Sequence, residues 1–146
     1  MPYEFKIMRF VEFNETDMAG IVHYANFFHY MEAAEHAFFR SLGFSIWTQN
    51  VEPPVGWPRV HAECDFKSPL RFEDEVEVHL LVMEKKSKSL SYQFRFRKLN
   101  ANPAVEVARG MVTTVCVTQA HGKLTAAPIP KAVADKIGVA PAEFLQ

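Results

Sequence analysis

The sequence predicts an α+β fold in which a curved antiparallel β-sheet wraps one long α-helix. Three observations lead there. Residues 25–42 carry the only long helical period, with Phe27, Met31, Ala34, Phe38 and Leu42 on one face and Phe28, Glu35 and Phe39 beside it. Five other stretches alternate apolar and polar residues at the β period. The later stretches are joined by short links, which makes them antiparallel neighbours. A helix so rich in phenylalanine must be covered, and a sheet curved around it is the economical cover.

In chain order, residues 4–13 form the first strand, with Phe5, Ile7, Val11 and Phe13 alternating with Lys6, Met8 and Glu12, and Arg9 interrupting the apolar face. The acidic loop and Gly20 follow, then the helix, which Gly43 stops. Residues 45–58 hold Trp47, Trp57 and three prolines, the signature of a short helical turn and a loop. Val60, Ala62, Cys64 and Phe66 alternate with His61, Glu63 and Asp65 in the second strand, and Val76, Val78, Leu80 and Val82 mark the third. The link EKKSKS is a polar hairpin leading to a fourth strand built on Tyr92, Phe94 and Phe96, and LNANP separates it from the longest run, 104–118. Beyond Gly122 the chain is rich in Ala and Pro, with a short helix expected over 131–137. No repeat or low-complexity tract divides it, so one domain over 1–146 is expected.

Composition removes several function classes. Sixteen basic and seventeen acidic residues leave a net charge of −1, without the basic footprint of a nucleic-acid binder. Cys64 and Cys116 each sit in an apolar alternating run, which suits reduced core thiols. The start, MPYEFKIMRF, is too charged for a signal peptide, and no run reaches 18 apolar residues, so a cytoplasmic protein with no membrane partner is expected.

The stretch EFNETDMAGIVHYANFFHYMEAAEHAFFRSLG resembles the opening of the 4-hydroxybenzoyl-CoA thioesterase family of hot dog folds: an acidic-Thr-Asp step, two residues, Gly, a Val-containing step, an aromatic-small-Asn step, and the central helix. The resemblance implies the hot dog fold, with its curved antiparallel sheet around a central helix, and hydrolysis of an acyl-CoA. It places the catalytic carboxylate on Asp17, the glycine on Gly20, the backbone N–H that polarises the thioester on Tyr24, and the family's Asn on Asn26. Asn14 and His23 depart from the pattern, and His23 bears on the shape of the acyl pocket. The resemblance further implies protomers that pair their sheets, as homodimers or homotetramers, with the active site at the interface.

Those residue types suit the chemistry. The first turn of a helix offers N–H groups with no intrahelical partner at a positive dipole end, which is where an oxyanion is stabilised. Gly20 permits a close approach or a positive φ. Asp17 can attack the carbonyl to give a mixed anhydride or activate a water, and the sequence leaves both routes open. Lys85, Lys86 and Lys88 cluster in the hairpin; the family resemblance implies that basic residues near this place meet the phosphates of coenzyme A, which makes Lys86 and Lys88 the candidates, with a solvated turn as the alternative. His29, Glu32, Glu35 and His36 tempt a metal reading, yet His29, Glu32, His36 and Arg40 read more simply as a polar stripe on a mostly buried single helix, so neither metal nor cofactor is expected. Two other functions share the fold: a hydratase or dehydratase using His23 and Glu32, and a CoA-ester binder without turnover.

Overall fold

A computed structural model describes residues 1–146. Five strands, β1 (Glu4–Phe10), β2 (Arg59–Phe66), β3 (Glu75–Lys85), β4 (Ser89–Lys98) and β5 (Val105–Val115), form one antiparallel sheet in the order β1-β3-β4-β5-β2. A small hairpin, β6 (Val117–Ala120) with β7 (Lys123–Ala126), follows β5. The long helix α1 (Ala25–Ser41) lies on the concave face, and the short helix α2 (Lys131–Ala134) closes the hairpin end. This is the α+β hot dog arrangement.

The helical period becomes burial directly. Phe27, Tyr30, Met31, Ala34 and Phe38 point into the sheet and are each at most 4% exposed. Phe27 meets Phe96 edge-on at 5.2 Å, and Phe39 meets Trp57 at 5.3 Å, the offset geometry aromatic quadrupoles prefer. Each such side chain contributes roughly 1.5–3 kcal/mol of burial. Val78, Leu80, Val82, Phe94, Phe96 and Ala108 supply the facing wall. Gly43 adopts φ +89° and ends the helix, its N–H donating to Arg40 O while Phe44 N–H reaches Phe39 O.

Several element bounds shift from the sequence expectation for physical reasons. The first strand ends at Phe10, because Val11 pairs across to Asp74 and Glu73 and residues Phe13–Glu15 wind into a 3-10 turn. The run 104–118 breaks at Cys116, whose N–H donates to Lys88 O, and Val117 begins the separate hairpin. The helix expected over 131–137 is only Lys131–Ala134. The largest difference concerns β2. Its expected apolar face is mostly open, with Val60 63% and Phe66 49% exposed and Cys64 half-buried, because β2 is an edge strand that the helix covers incompletely. Burial still pushes the Cys64 thiol up to about 12 and the core Cys116 thiol up to about 11, so both are held as thiols.

Candidate active site

The acidic loop is a closed set of hydrogen bonds. Asp17 N–H donates to Ile21 O at 2.8 Å, Gly20 N–H returns to Asp17 O at 2.9 Å, and Ala19 N–H donates to Asp17 Oδ1 at 2.8 Å. Asp17 thus uses one carboxylate oxygen to shape its own turn, and the other has no partner within the chain. Gly20 takes φ +81°, a left-handed conformation that a side chain disfavours, with Arg71 Nη1 3.7 Å from the place of a Cβ. Val22 N–H then donates to Leu70 O at 2.8 Å, tying the loop to the segment between β2 and β3.

The start of α1 is equally specified. His23 N–H donates to Glu15 O at 2.9 Å, and Ala25 N–H donates to His23 Nδ1 at 3.1 Å. Between them the Tyr24 N–H has no partner within the chain. It sits at the N-terminus of a 17-residue helix, where unsatisfied donors and the helix dipole together favour negative charge.

Asp17 and Tyr24 open onto one cavity of about 580 Å³, with Phe27 and Phe66 among its apolar walls and Lys67 and Arg71 at its rim. Lys67 is engaged by Glu106, whereas Arg71 forms no ion pair. The Arg71 backbone is nonetheless fixed, its N–H donating to Asp74 Oδ2 at 2.7 Å and its carbonyl accepting from Asp74 N–H at 3.0 Å. The sequence places Phe66 only in a strand and singles out neither Lys67 nor Arg71. The signal was the charged segment FKSPLRFED just after a strand, which only the Val22–Leu70 contact brings to the loop.

Of the other residues singled out, Gly20 is in the loop and His23 stacks on Tyr24 at 4.7 Å, beside the cavity rather than in its wall. Asn26 turns away: its Nδ2 donates to Glu15 O at 2.8 Å and joins helix to loop. Lys86 and Lys88 do not meet Asp17 within a chain. They lie beyond the far end of β3, an 11-residue strand whose other end, Glu75, pairs with Phe10 at the loop, so roughly 30 Å of strand intervenes. Lys85 Nζ is committed elsewhere, donating to Ala134 O at 2.9 Å and Ile137 O at 2.7 Å, and Lys86 pairs with Glu84 at 2.8 Å.

A second polar place lies between α1 and β2. Glu35 is 2% exposed and bonds Arg59; its Oε2 has no partner, and burial, outweighing the guanidinium, pushes its carboxyl up to about 7. His29 and Glu32 face outward, and no three His, Cys, Asp or Glu side chains converge. No helix is long and apolar enough to cross a membrane.

Residues 11–137 match the family model described as the thioesterase-like superfamily. The chain belongs to this superfamily of hot dog acyl-CoA thioesterases. A gentisyl-coenzyme A thioesterase superposes with a TM-score of 0.75 at 34% identity, covering 88% of this chain and 98% of that one. A 4-hydroxybenzoyl-CoA thioesterase variant complexed with 4-hydroxybenzoyl-CoA reaches a TM-score of 0.85 over 94% of this chain and 100% of that one; at 21% identity that likeness concerns the fold. Among curated proteins, one of Aquifex aeolicus with a provisional esterase name is 39% identical over 84 residues, 58% of this chain and 63% of that protein. A 1,4-dihydroxy-2-naphthoyl-CoA hydrolase of Parasynechococcus marenigrum is 30% identical over 82 residues, 51% and 54% of the two chains. The chain thus spans between about half and two thirds of the length of these curated relatives.

Proposed function

We propose that the protein hydrolyses acyl-CoA thioesters to a free acid and coenzyme A, with Asp17 and the Tyr24 N–H as its catalytic groups. The observation that carries this reading is that one cavity is lined by both Asp17, whose second carboxylate oxygen has no partner in the chain, and Tyr24, whose helix N-terminal N–H has none. The thioester carbonyl oxygen accepts from Tyr24 N–H, and the negative charge that develops on it as the carbonyl carbon turns tetrahedral is met by the donor and the helix dipole. One such donor is worth ~3–4 kcal/mol in the transition state. Asp17 either attacks the carbon, giving an anhydride that water opens, or takes a proton from the attacking water. In both cases the C–S bond breaks, the thiolate leaves and is protonated, and water supplies the oxygen of the acid. Phe27 and Phe66 give the cavity an aromatic lining suited to an aromatic acyl group, and the substrates named for these relatives are aromatic.

The site is completed by a second copy. The residues of β2 other than half-buried Cys64 are exposed, and its outer edge has no strand partner. An edge of this kind invites pairing. Since β2 ends at Phe66, in the cavity wall, a two-fold partner paired on β2 would border the same cavity.

The deciding experiment is thiol release from a panel of hydroxybenzoyl-, naphthoyl- and straight-chain acyl-CoAs. Turnover is expected, fastest with an aromatic acyl group. Binding of these esters without thiol release from any would overturn the reading.

A further inference from the structure

Both halves of the proposed site depend on one residue that takes no part in the chemistry. Glu15 Oε1 accepts from the Tyr30 hydroxyl at 2.8 Å and from Glu12 N–H at 2.8 Å. Its backbone carbonyl accepts from His23 N–H at 2.9 Å and from Asn26 Nδ2 at 2.8 Å. The side chain therefore anchors the 3-10 turn to the second turn of α1, and the carbonyl anchors the residue just before Tyr24. Asp17 follows Glu15 by two residues. The turn between β1 and the loop is thus bolted to the helix at both levels.

The anchor on the helix side is rigid. Tyr30 is 1% exposed, and burial first, then the bond to Glu15, raises its hydroxyl well above the ordinary tyrosine value, so it remains a donor. The Arg9 guanidinium lies 5.5 Å over the Tyr30 ring and its Nε has no partner, so the charged groups around the bond are Arg9 and Glu12. Isolated turns of three residues have little stability of their own. Without the bond to Tyr30, the turn would rely on its cap and carbonyl alone.

We infer that Glu15, held by the Tyr30 hydroxyl, is a positioning residue that fixes the separation between the Asp17 carboxylate and the Tyr24 N–H. The inference rests on the thioesterase reading for its effect on rate and on geometry alone for the strut itself. A misplacement of about 1 Å between reacting groups costs up to about 10²-fold in rate. Loss of one hydroxyl from the strut should loosen it by less.

The test compares Tyr30→Phe with Tyr92→Phe, which removes an equally buried hydroxyl that has no partner. With the fastest CoA ester of the panel, Tyr30→Phe is expected to lower kcat about tenfold with KM within about twofold, and Tyr92→Phe to leave both unchanged. Glu15→Gln, which keeps an acceptor oxygen for Tyr30, should retain more kcat than Glu15→Ala, and it serves if Tyr30→Phe folds poorly. In parallel, amide hydrogen exchange at His23 should accelerate in Tyr30→Phe and not in Tyr92→Phe. Unchanged kcat in Tyr30→Phe, or a loss of kcat without faster exchange at His23, would overturn the inference. If the wild type released thiol from no ester, the thioesterase reading would fall, while exchange at His23 would still decide the strut, unchanged exchange overturning it.

Discussion

At the end of the sheet where β1 finishes, Asp17 keeps a carboxylate oxygen, Tyr24 an N–H and Arg71 a guanidinium free of partners. At the opposite end, in the hairpin 86–88 and its flanks, two of the three lysines are spent on the chain itself, Lys85 on the Ala134 and Ile137 carbonyls and Lys86 on Glu84, and Lys88 forms no ion pair. The two ends carry the same kinds of residue and differ in whether their hydrogen-bonding capacity is already used. The free groups at the cavity end are solvent-exposed and open to a substrate.

The largest expected effect breaks the first end. Asp17→Asn keeps the bond from Ala19 N–H, since the amide oxygen still accepts, and replaces the free, charged oxygen with an NH2 group that can neither attack nor take a proton. Hydrolysis should fall by about 10²–10⁴-fold with little change in melting temperature. Near-normal kcat in a folded variant would remove Asp17 from the chemistry and erase the contrast between the ends.

How much of this contrast was legible in the sequence depends on the range of the contacts. The order Asp17, Gly20, Tyr24 lies within eight residues, and a local turn into a helix start can be read from such spacing. The helix face was legible for the same reason, since its period is a local property. Arg71 and Phe66 were not, because only the long-range bond from Val22 to Leu70 brings their segment to the loop. Asn26 was read as part of the site, and its amide is turned to Glu15 instead, a choice that depends on where the 3-10 turn folds back. Exposure of β2 was hidden too, because alternation tells which residues share a face and says nothing about whether the sheet ends there.

Between the two ends, Glu35 offers a pH test of the helix itself. Its folded value, about 7, lies above the ordinary 4.5, so the folded state binds the proton more tightly than the unfolded one. The stability contributed by Glu35 is therefore fully present below about 4.5 and is lost as pH rises through about 7, by up to about 3 kcal/mol. Glu35→Gln is neutral throughout and lacks that slope. Urea midpoints at pH 5 and 8 should favour the wild type at the lower pH relative to the variant, and a constant difference between them would refute the buried, proton-holding Glu35.

Lys85 sharpens the comparison from the structural side. Lys85→Met keeps the aliphatic stem and removes the two bonds to Ala134 and Ile137 carbonyls. A loss of ~1–3 kcal/mol in stability with unchanged kcat and KM is expected. A change in KM would add this lysine to the substrate contacts.

The smallest effect concerns Lys86 and Lys88, which a single chain holds away from Asp17. An antiparallel partner on β2 would set its Arg59 end against this chain's Phe66 end, and Arg59 lies on the hairpin side because it pairs with Thr114, itself opposite Leu90. The partner's hairpin would then share one end of the joint sheet with this chain's cavity, about three strand spacings or roughly 15 Å across. A coenzyme A arm could bridge that gap from the carbonyl to its phosphates. Replacing both lysines by alanine should raise KM for a CoA ester by about two- to fivefold, leave kcat unchanged and spare a thioester lacking the nucleotide. The effect should fade as salt shortens the screening length below ~8–10 Å. Mixed dimers make the geometry decisive. When Asp17→Asn is placed in the protomer with intact lysines and the two Lys→Ala changes in the other, the one working Asp17 faces intact lysines across the interface, and KM should be normal. When Asp17→Asn and both Lys→Ala changes share a protomer, the working Asp17 faces the altered hairpin and KM should be raised. The reverse pattern would mean that the nucleotide reaches the hairpin of its own chain, against the strand length that separates them.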